Sequence, residues 1–175
     1  MNKPQFLILH HSGGTAGNPT LDTSNQTLEI INSWHKQLWP NFISKLGYNS
    51  GYHIVIEKSG IIRRAREDDE IGAHVIGMND RSIGICIVGN FDRLPALPNR
   101  NPTKEQEESL KKLLKELSLK HNIKADHIVG HRHFAAYKTC PGKNLSDSYG
   151  QDLVRDEIVP NIKELKRIRL SLIKQ

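Results

Sequence analysis

The run Ser82-Ile83-Gly84-Ile85-Cys86-Ile87-Val88 carries almost no polar side chain at either parity, and it constrains the fold more than any other segment. Side chains alternate between the two faces of a strand, so such a run needs cover above and below. That is the place of a central strand in a sheet with helices packed on it.

Shorter segments supply its neighbours. Residues 5–10 read as an apolar strand ending at His10. Residues 52–57 and 61–64 flank Lys58-Ser59-Gly60, a glycine-containing turn, and read as a hairpin. Residues 127–130 read as a short strand that delivers His131. Leu28, Ile31, His35 and Leu38 fall at helical spacing, with Asp22, Thr23 or Ser24 as the expected cap and Pro40 as the stop. Thr103 is the expected cap of a second helix over 104–120, buried through Leu110, Leu113, Leu114 and Leu117. Pro95, Pro98 and Pro102 mark a surface loop before it. A last helical pattern from about residue 153 carries Val154, Ile158, Ile162, Leu165 and Ile168, and Pro160 predicts a break within it. The expected fold is α/β: a single domain over 1–175, with a central mixed sheet of five or six strands flanked by helices.

A chain of 175 residues can bury a full core as one domain. No apolar run approaches the roughly 18 residues of a membrane span. The start does not have the pattern of a secretory signal, so synthesis in the cytoplasm without a leader is expected. A net charge of +6 suits polyanions: nucleic acid, an anionic membrane face or an anionic cell wall. No basic stripe interleaved with aromatics marks a nucleic-acid partner, and none is expected. Two cysteines are too few for a disulfide framework. Cys86 reads as a small buried hydrophobe. Cys140, in a polar loop beside Lys138, reads as a position that favours the thiolate.

Chemistry concentrates in two places. The segment Gly130-His131-Arg132 through Cys140-Pro141-Gly142 sets His131 nine positions before Cys140. The first strand ends in the doublet His10-His11, followed by Ser12-Gly13-Gly14, and the two imidazoles must point to opposite faces. One of them can join His131 and Cys140 around an ion, and spacing alone does not choose which. His133 competes with His131 for the same role. Three protein ligands with an open fourth position is how catalytic zinc is held, whereas structural zinc is closed by four. Elsewhere His35, His121 and His127 read as packing or solvated residues, and His53 should face away from Tyr52. Arg66, Glu67 and Asp69 read as a solvated charged edge. No HExxH helix, GxSxG elbow or phosphate-binding glycine loop occurs.

Five motifs occur in a fixed order: Leu9-His10-His11-Ser12-Gly13-Gly14, Gly51-Tyr52-His53-Ile54-Val55-Ile56, Gly72-Ala73-His74-Val75-Ile76-Gly77-Met78-Asn79, residues 82–89, and Gly130-His131-Arg132 through Cys140-Pro141-Gly142. Together they resemble the type 2 N-acetylmuramoyl-L-alanine amidases, which include phage amidase lysozymes and peptidoglycan recognition proteins. The resemblance covers roughly residues 5 to 145 and leaves 150–175 as a C-terminal helical extension. It implies one Zn2+ per chain held by His10, His131 and Cys140. It implies that Tyr52 contacts the water the metal activates and that Lys138 lies near the developing oxyanion. Ala73, His74 and Asn79 match the segment that lines the peptide-stem groove in relatives. The implied reaction cuts the amide between N-acetylmuramic acid and L-alanine in peptidoglycan, in an endolysin-like setting that reaches the wall after release. A monomer with no membrane partner is expected.

Three other readings compete. A non-catalytic muropeptide-binding module would lack a ligand or the tyrosine, and this chain keeps them all. A cytoplasmic recycling amidase would suit the absent leader, although those relatives commonly place aspartate where Cys140 stands. A cysteine hydrolase would use Cys140 as nucleophile with His131 or His10 as base.

Overall fold

A computed structural model describes residues 1–15, 17–93 and 100–155. Five strands are present: β1 (Phe6–His11), β2 (Ile54–Ile56), β3 (Ile62–Arg64), β4 (Ser82–Ile87) and β5 (Ile128–Gly130). They form one mixed sheet in the order β3-β2-β4-β1-β5. β1 runs parallel to β4 and to β5, and β2 is parallel to β4. Only β3 is antiparallel, because it returns from β2 through the predicted hairpin. β4 is buried at every position and lies between β2 and β1, as its two-sided apolar run requires.

The two sheet faces differ in what covers them. On one face Leu7, Leu9, Ile54, Ile56, Ile83 and Ile85 pack against the buried stripe of helix α2 (Lys104–His121). On the other, Val55, Cys86 and Val88 meet Leu28 and Ile31 of helix α1 (Leu28–Leu38). The chain becomes helical again over 149–155, and Val154 is buried on the α2 side. The other expected features of the C-terminal pattern, with Ile158, Pro160, Ile162, Leu165 and Ile168, lie outside the described residues, as do Pro95 and Pro98.

α2 begins as its sequence predicts. Thr103 accepts from the Gln106 amide while the Gln106 side chain accepts from the Thr103 amide, a reciprocal cap. The Gln106 side-chain Nε2 donates to the Val88 and Ile56 carbonyls, at 2.8 and 3.3 Å, and so ties the helix start to the ends of β4 and β2. α1 starts later than expected, after Thr27. The polar residues read as its cap are used in turns instead. Asp22 accepts from the Ser24 amide, and the Thr23 hydroxyl accepts from Ser12.

Arg66, read as part of a solvated edge, and His121 and His127, read as packing or solvated, are held by contacts within the protein. Arg66 is only 2% exposed; its guanidinium donates to the Ser50 and Phe42 carbonyls and sits 3.7 Å from the Phe42 ring centroid. His127 stacks on Phe6 and bonds to the Gln5 carbonyl rather than facing solvent alone. His121 meets Asp68 at 2.9 Å, and Lys120 and Arg64 reach the same carboxylate. Burial by itself raises the Asp68 carboxyl, but hydrogen bonds from Lys120, His121 and Arg64 outweigh it and hold it at about 2. A depressed carboxylate stabilises the fold fully above its unfolded value of about 4, and that contribution is lost as pH falls toward about 2. Asp68→Asn should therefore lower the denaturation midpoint at pH 7, with the gap from wild type closing near pH 2. A constant gap across that range in acid-titrated unfolding curves would contradict it.

Candidate active site

β1 and β5 are parallel neighbours with Leu9 opposite Gly130. The next residue on each chain, His10 and His131, therefore emerges side by side at the strand ends. His131 opens a short 3-10 turn directly after β5, and its ring centroid lies 4.8 Å from that of His10. Alternation sends His11 to the opposite side, where its Nδ1 accepts the Phe91 amide at 3.2 Å. The doublet is thereby resolved: His10 faces the site.

Cys140 is brought in by the loop that follows His131. The Arg132 amide donates to the Cys140 carbonyl at 2.9 Å, which closes the loop on itself. The Arg132 guanidinium then holds three further carbonyls, those of Thr139, Gly142 and Leu145, at 3.0, 3.0 and 2.6 Å. Gly130 has no side chain where one would collide with the Pro141 ring at 2.6 Å, so the Cys140-Pro141 turn can lie against the end of β5. The result is Cys140 Sγ at 3.6 Å from His10 Nδ1. One donor atom from each of His10, His131 and Cys140 lies within 4.8 Å of the others. His133 is exposed and is not in that cluster.

Two imidazoles and a thiol converging at this range suit zinc, whose ligand distances are about 2.0–2.3 Å. Burial and the neighbouring His74 and His131 hold His10 well below the usual histidine range. His131 is lowered too, by burial and by the Lys138 ammonium. Both are neutral lone-pair donors at neutral pH. Cys140 departs from expectation. Burial pushes its thiol up to about 12, while the backbone N–H of His11, Arg132 and Lys138 oppose this only weakly. The exposed lysine is too well solvated to make a thiolate by itself. A bound cation would supply that stabilisation, since a coordinating thiol is deprotonated outright.

Tyr52 sits on the same side, its ring centroid 5.0 Å from that of His10 and 5.4 Å from that of His35. Burial holds its phenol well above the usual range, so it remains protonated. The bend carrying it is braced from three directions. The Gly51 amide donates to His35 Nδ1, the Ala73 amide donates to the Gly51 carbonyl, and Arg66 holds the Ser50 carbonyl. A side chain at Gly51 would meet the Ala73 carbonyl at 2.3 Å. His53, one residue on, turns away to the Glu70 carbonyl and the Gly84 amide.

A cleft of about 550 Å3 opens beside His131, walled by Trp39, Ala73, His74, Asn79, Tyr137 and Lys138 among others. All three residues expected in the peptide groove thus line one cleft with the expected lysine. Lys138 is exposed at its mouth, 5.4 Å from the Tyr137 ring centroid. The Asn79 side chain is committed to the protein, accepting from the His74 and Val75 amides. His35, Arg66 and Arg132 are supports that sequence reading missed. Each acts on backbone beyond its own turn or strand, and no local pattern signals that.

The chain matches the family model described as N-acetylmuramoyl-L-alanine amidase over residues 1–143. It is 34% identical over 127 residues to the endolysin of Klebsiella phage KP32, spanning 72% of this chain and 76% of that protein. It is 30% identical to peptidoglycan-recognition protein SD of Drosophila melanogaster, over 81% of this chain and 69% of that one. Among solved structures, the endolysin amidase LysCS from Clostridium intestinale superposes with a TM-score of 0.67 at 27% identity, covering 89% of this chain and 84% of that one. Among the described residues no helix is long and apolar enough to cross a membrane. Matched by the family model over most of its length, by phage endolysins in sequence and by a solved endolysin amidase in fold, the chain belongs to the N-acetylmuramoyl-L-alanine amidase family and is an amidase.

Proposed function

We propose that the protein is a zinc-dependent endolysin that hydrolyses the amide between the lactyl carbonyl of N-acetylmuramic acid and the amine of L-alanine in peptidoglycan. The observation that carries this is the meeting of His10, His131 and Cys140, with His131 in the wall of an open cleft. Held by those three side chains, zinc supplies Lewis-acid activation of water and of the amide carbonyl.

The remaining work falls to the protein. His10 and His131 hold bare lone pairs toward the site because burial keeps them neutral. Tyr52, protonated and braced beside His10, orients the attacking water and can relay a proton. Lys138 brings a positive charge to the cleft mouth, where negative charge develops on the scissile carbonyl oxygen. Ala73, His74 and Asn79 form the wall along which the stem peptide would lie. A chain whose matched phage relatives are endolysins suits delivery to the cell wall after release, acting as a monomer.

Tyr52→Phe separates chemistry from metal binding. It should keep one zinc per chain yet slow the release of alanine amine from purified sacculi by about 100-fold or more. Full activity in a zinc-loaded Phe variant would remove Tyr52 from the mechanism. Retained muropeptide binding without any amine release by the wild-type protein would favour the non-catalytic reading.

A further inference from the structure

We infer that His74 is a positioning residue: a directed chain of hydrogen bonds from the Met78 carbonyl through Ser82 and His74 fixes the tautomer of His10, so that His10 turns a bare Nδ1 toward Cys140. Its consequence for metal affinity rests on the zinc reading above; the order of the hydrogen bonds does not.

The direction follows from what each atom can do. A carbonyl oxygen only accepts, so Ser82 Oγ, 2.6 Å from the Met78 oxygen, commits its single proton there. Ser82 Oγ can then only accept from His74 Nε2, at 3.4 Å. A neutral imidazole has one N–H, so His74 Nδ1 is left as an acceptor. His10 Nε2 lies 3.1 Å from that Nδ1 and must be the donor. Nδ1 of His10 is then the bare nitrogen, and it is the atom that lies 3.6 Å from Cys140 Sγ.

The surroundings are built to hold this order. His10 and His74 are both buried, at 1% and 9% exposure, and the 3.1 Å gap between their facing nitrogens has room for one proton only. Asn79 fixes the backbone of the His74 turn through two amides, at 2.8 and 2.9 Å. The His74 ring lies on the sheet over Gly84, where a side chain would come within 2.6 Å of it. Both of its ring nitrogens are engaged inside the protein, and His74 is only 9% exposed. Its contribution to the cleft wall is therefore apolar, and its polar work is directed at His10. Partners of this kind are worth about 10–100-fold in metal affinity.

Nitrogen NMR of protein with 15N-labelled histidine reads the tautomers without metal. In the metal-free wild type His10 should carry its proton on Nε2, and in His74→Leu and Ser82→Ala that preference should weaken. Zinc affinity, measured by competition with a chelator, should fall about 10–100-fold in His74→Leu. It should recover largely in His74→Asn, whose amide oxygen can accept in place of Nδ1. A purely structural role predicts instead that both variants lose affinity together with thermal stability. A His10 proton on Nδ1 in the metal-free wild type overturns the inference, as does a folded His74→Leu with wild-type zinc affinity. If His74→Leu does not fold, the Ser82→Ala spectrum decides alone. If the wild type binds no zinc, the zinc reading fails, and the tautomer spectrum still judges this one.

Discussion

Cys140→Ala is expected to lose bound zinc and to stop releasing alanine amine from sacculi while keeping its fold. Cys140 provides the one donor of the three that becomes anionic on coordination, and without it two neutral imidazoles must hold a divalent ion beside an open cleft. Losing an outer partner of a ligand already costs about 10–100-fold in affinity, so losing a ligand should cost more than about 100-fold. Metal content by elemental analysis and amine release measure the two consequences. A variant that retains full zinc and full turnover would dissolve the assignment. The same assay tests the cysteine-nucleophile alternative, which requires wild-type activity to survive a chelator. Burial weighs against that alternative, because it raises the free thiol to about 12 and a neutral imidazole 3.6 Å away is too weak a base to take its proton.

Arg132→Ala should produce the second large effect, through the loop rather than through contact with substrate. Its guanidinium holds three backbone carbonyls around the Cys140 turn. It is also paired with Asp147. Charge-assisted hydrogen bonds contribute about 1.5–3 kcal/mol each, but water entering the space left by the side chain recovers some of this, so a net loss of about 2–4 kcal/mol is expected. The denaturant midpoint should fall, and zinc affinity should fall with it because Cys140 is no longer held beside His10. Arg132→Lys should rescue little, since one ammonium cannot reproduce a planar fork that meets three acceptors. Unchanged zinc affinity in Arg132→Ala would show that the turn holds its shape without the guanidinium.

The helix and strand pattern was legible because burial imposes periodicity. The two-sided apolar run at Ser82–Ile87 had to be a covered strand, and the Leu110, Leu113, Leu114 and Leu117 stripe had to be a helix face. Thr103 announced the start of α2 for a local reason, because cap and capped amide are three residues apart. The same reasoning misplaced the start of α1, since Asp22 and Thr23 have equally good local uses in turns. It also read Arg66 as solvated. Charge predicts exposure only when no distant backbone carbonyls wait to receive it, and here Ser50 and Phe42 do.

The sequence by itself determined which residue types could form the centre: two histidines and a cysteine, with a tyrosine and a lysine carried on ordered motifs. It also required that His10 and His11 part ways, because strand alternation is a local property of the backbone. Tertiary structure alone decided which of the pair faces the site, because that depends on which sheet face α2 covers. It alone set His131 beside His10, through the register of two strands far apart in the chain. Most of all, it decided the environment of each donor, from the raised Cys140 thiol to the bare Nδ1 of His10. Desolvation and hydrogen-bond direction are sums over everything nearby in space, and one-dimensional order does not contain them.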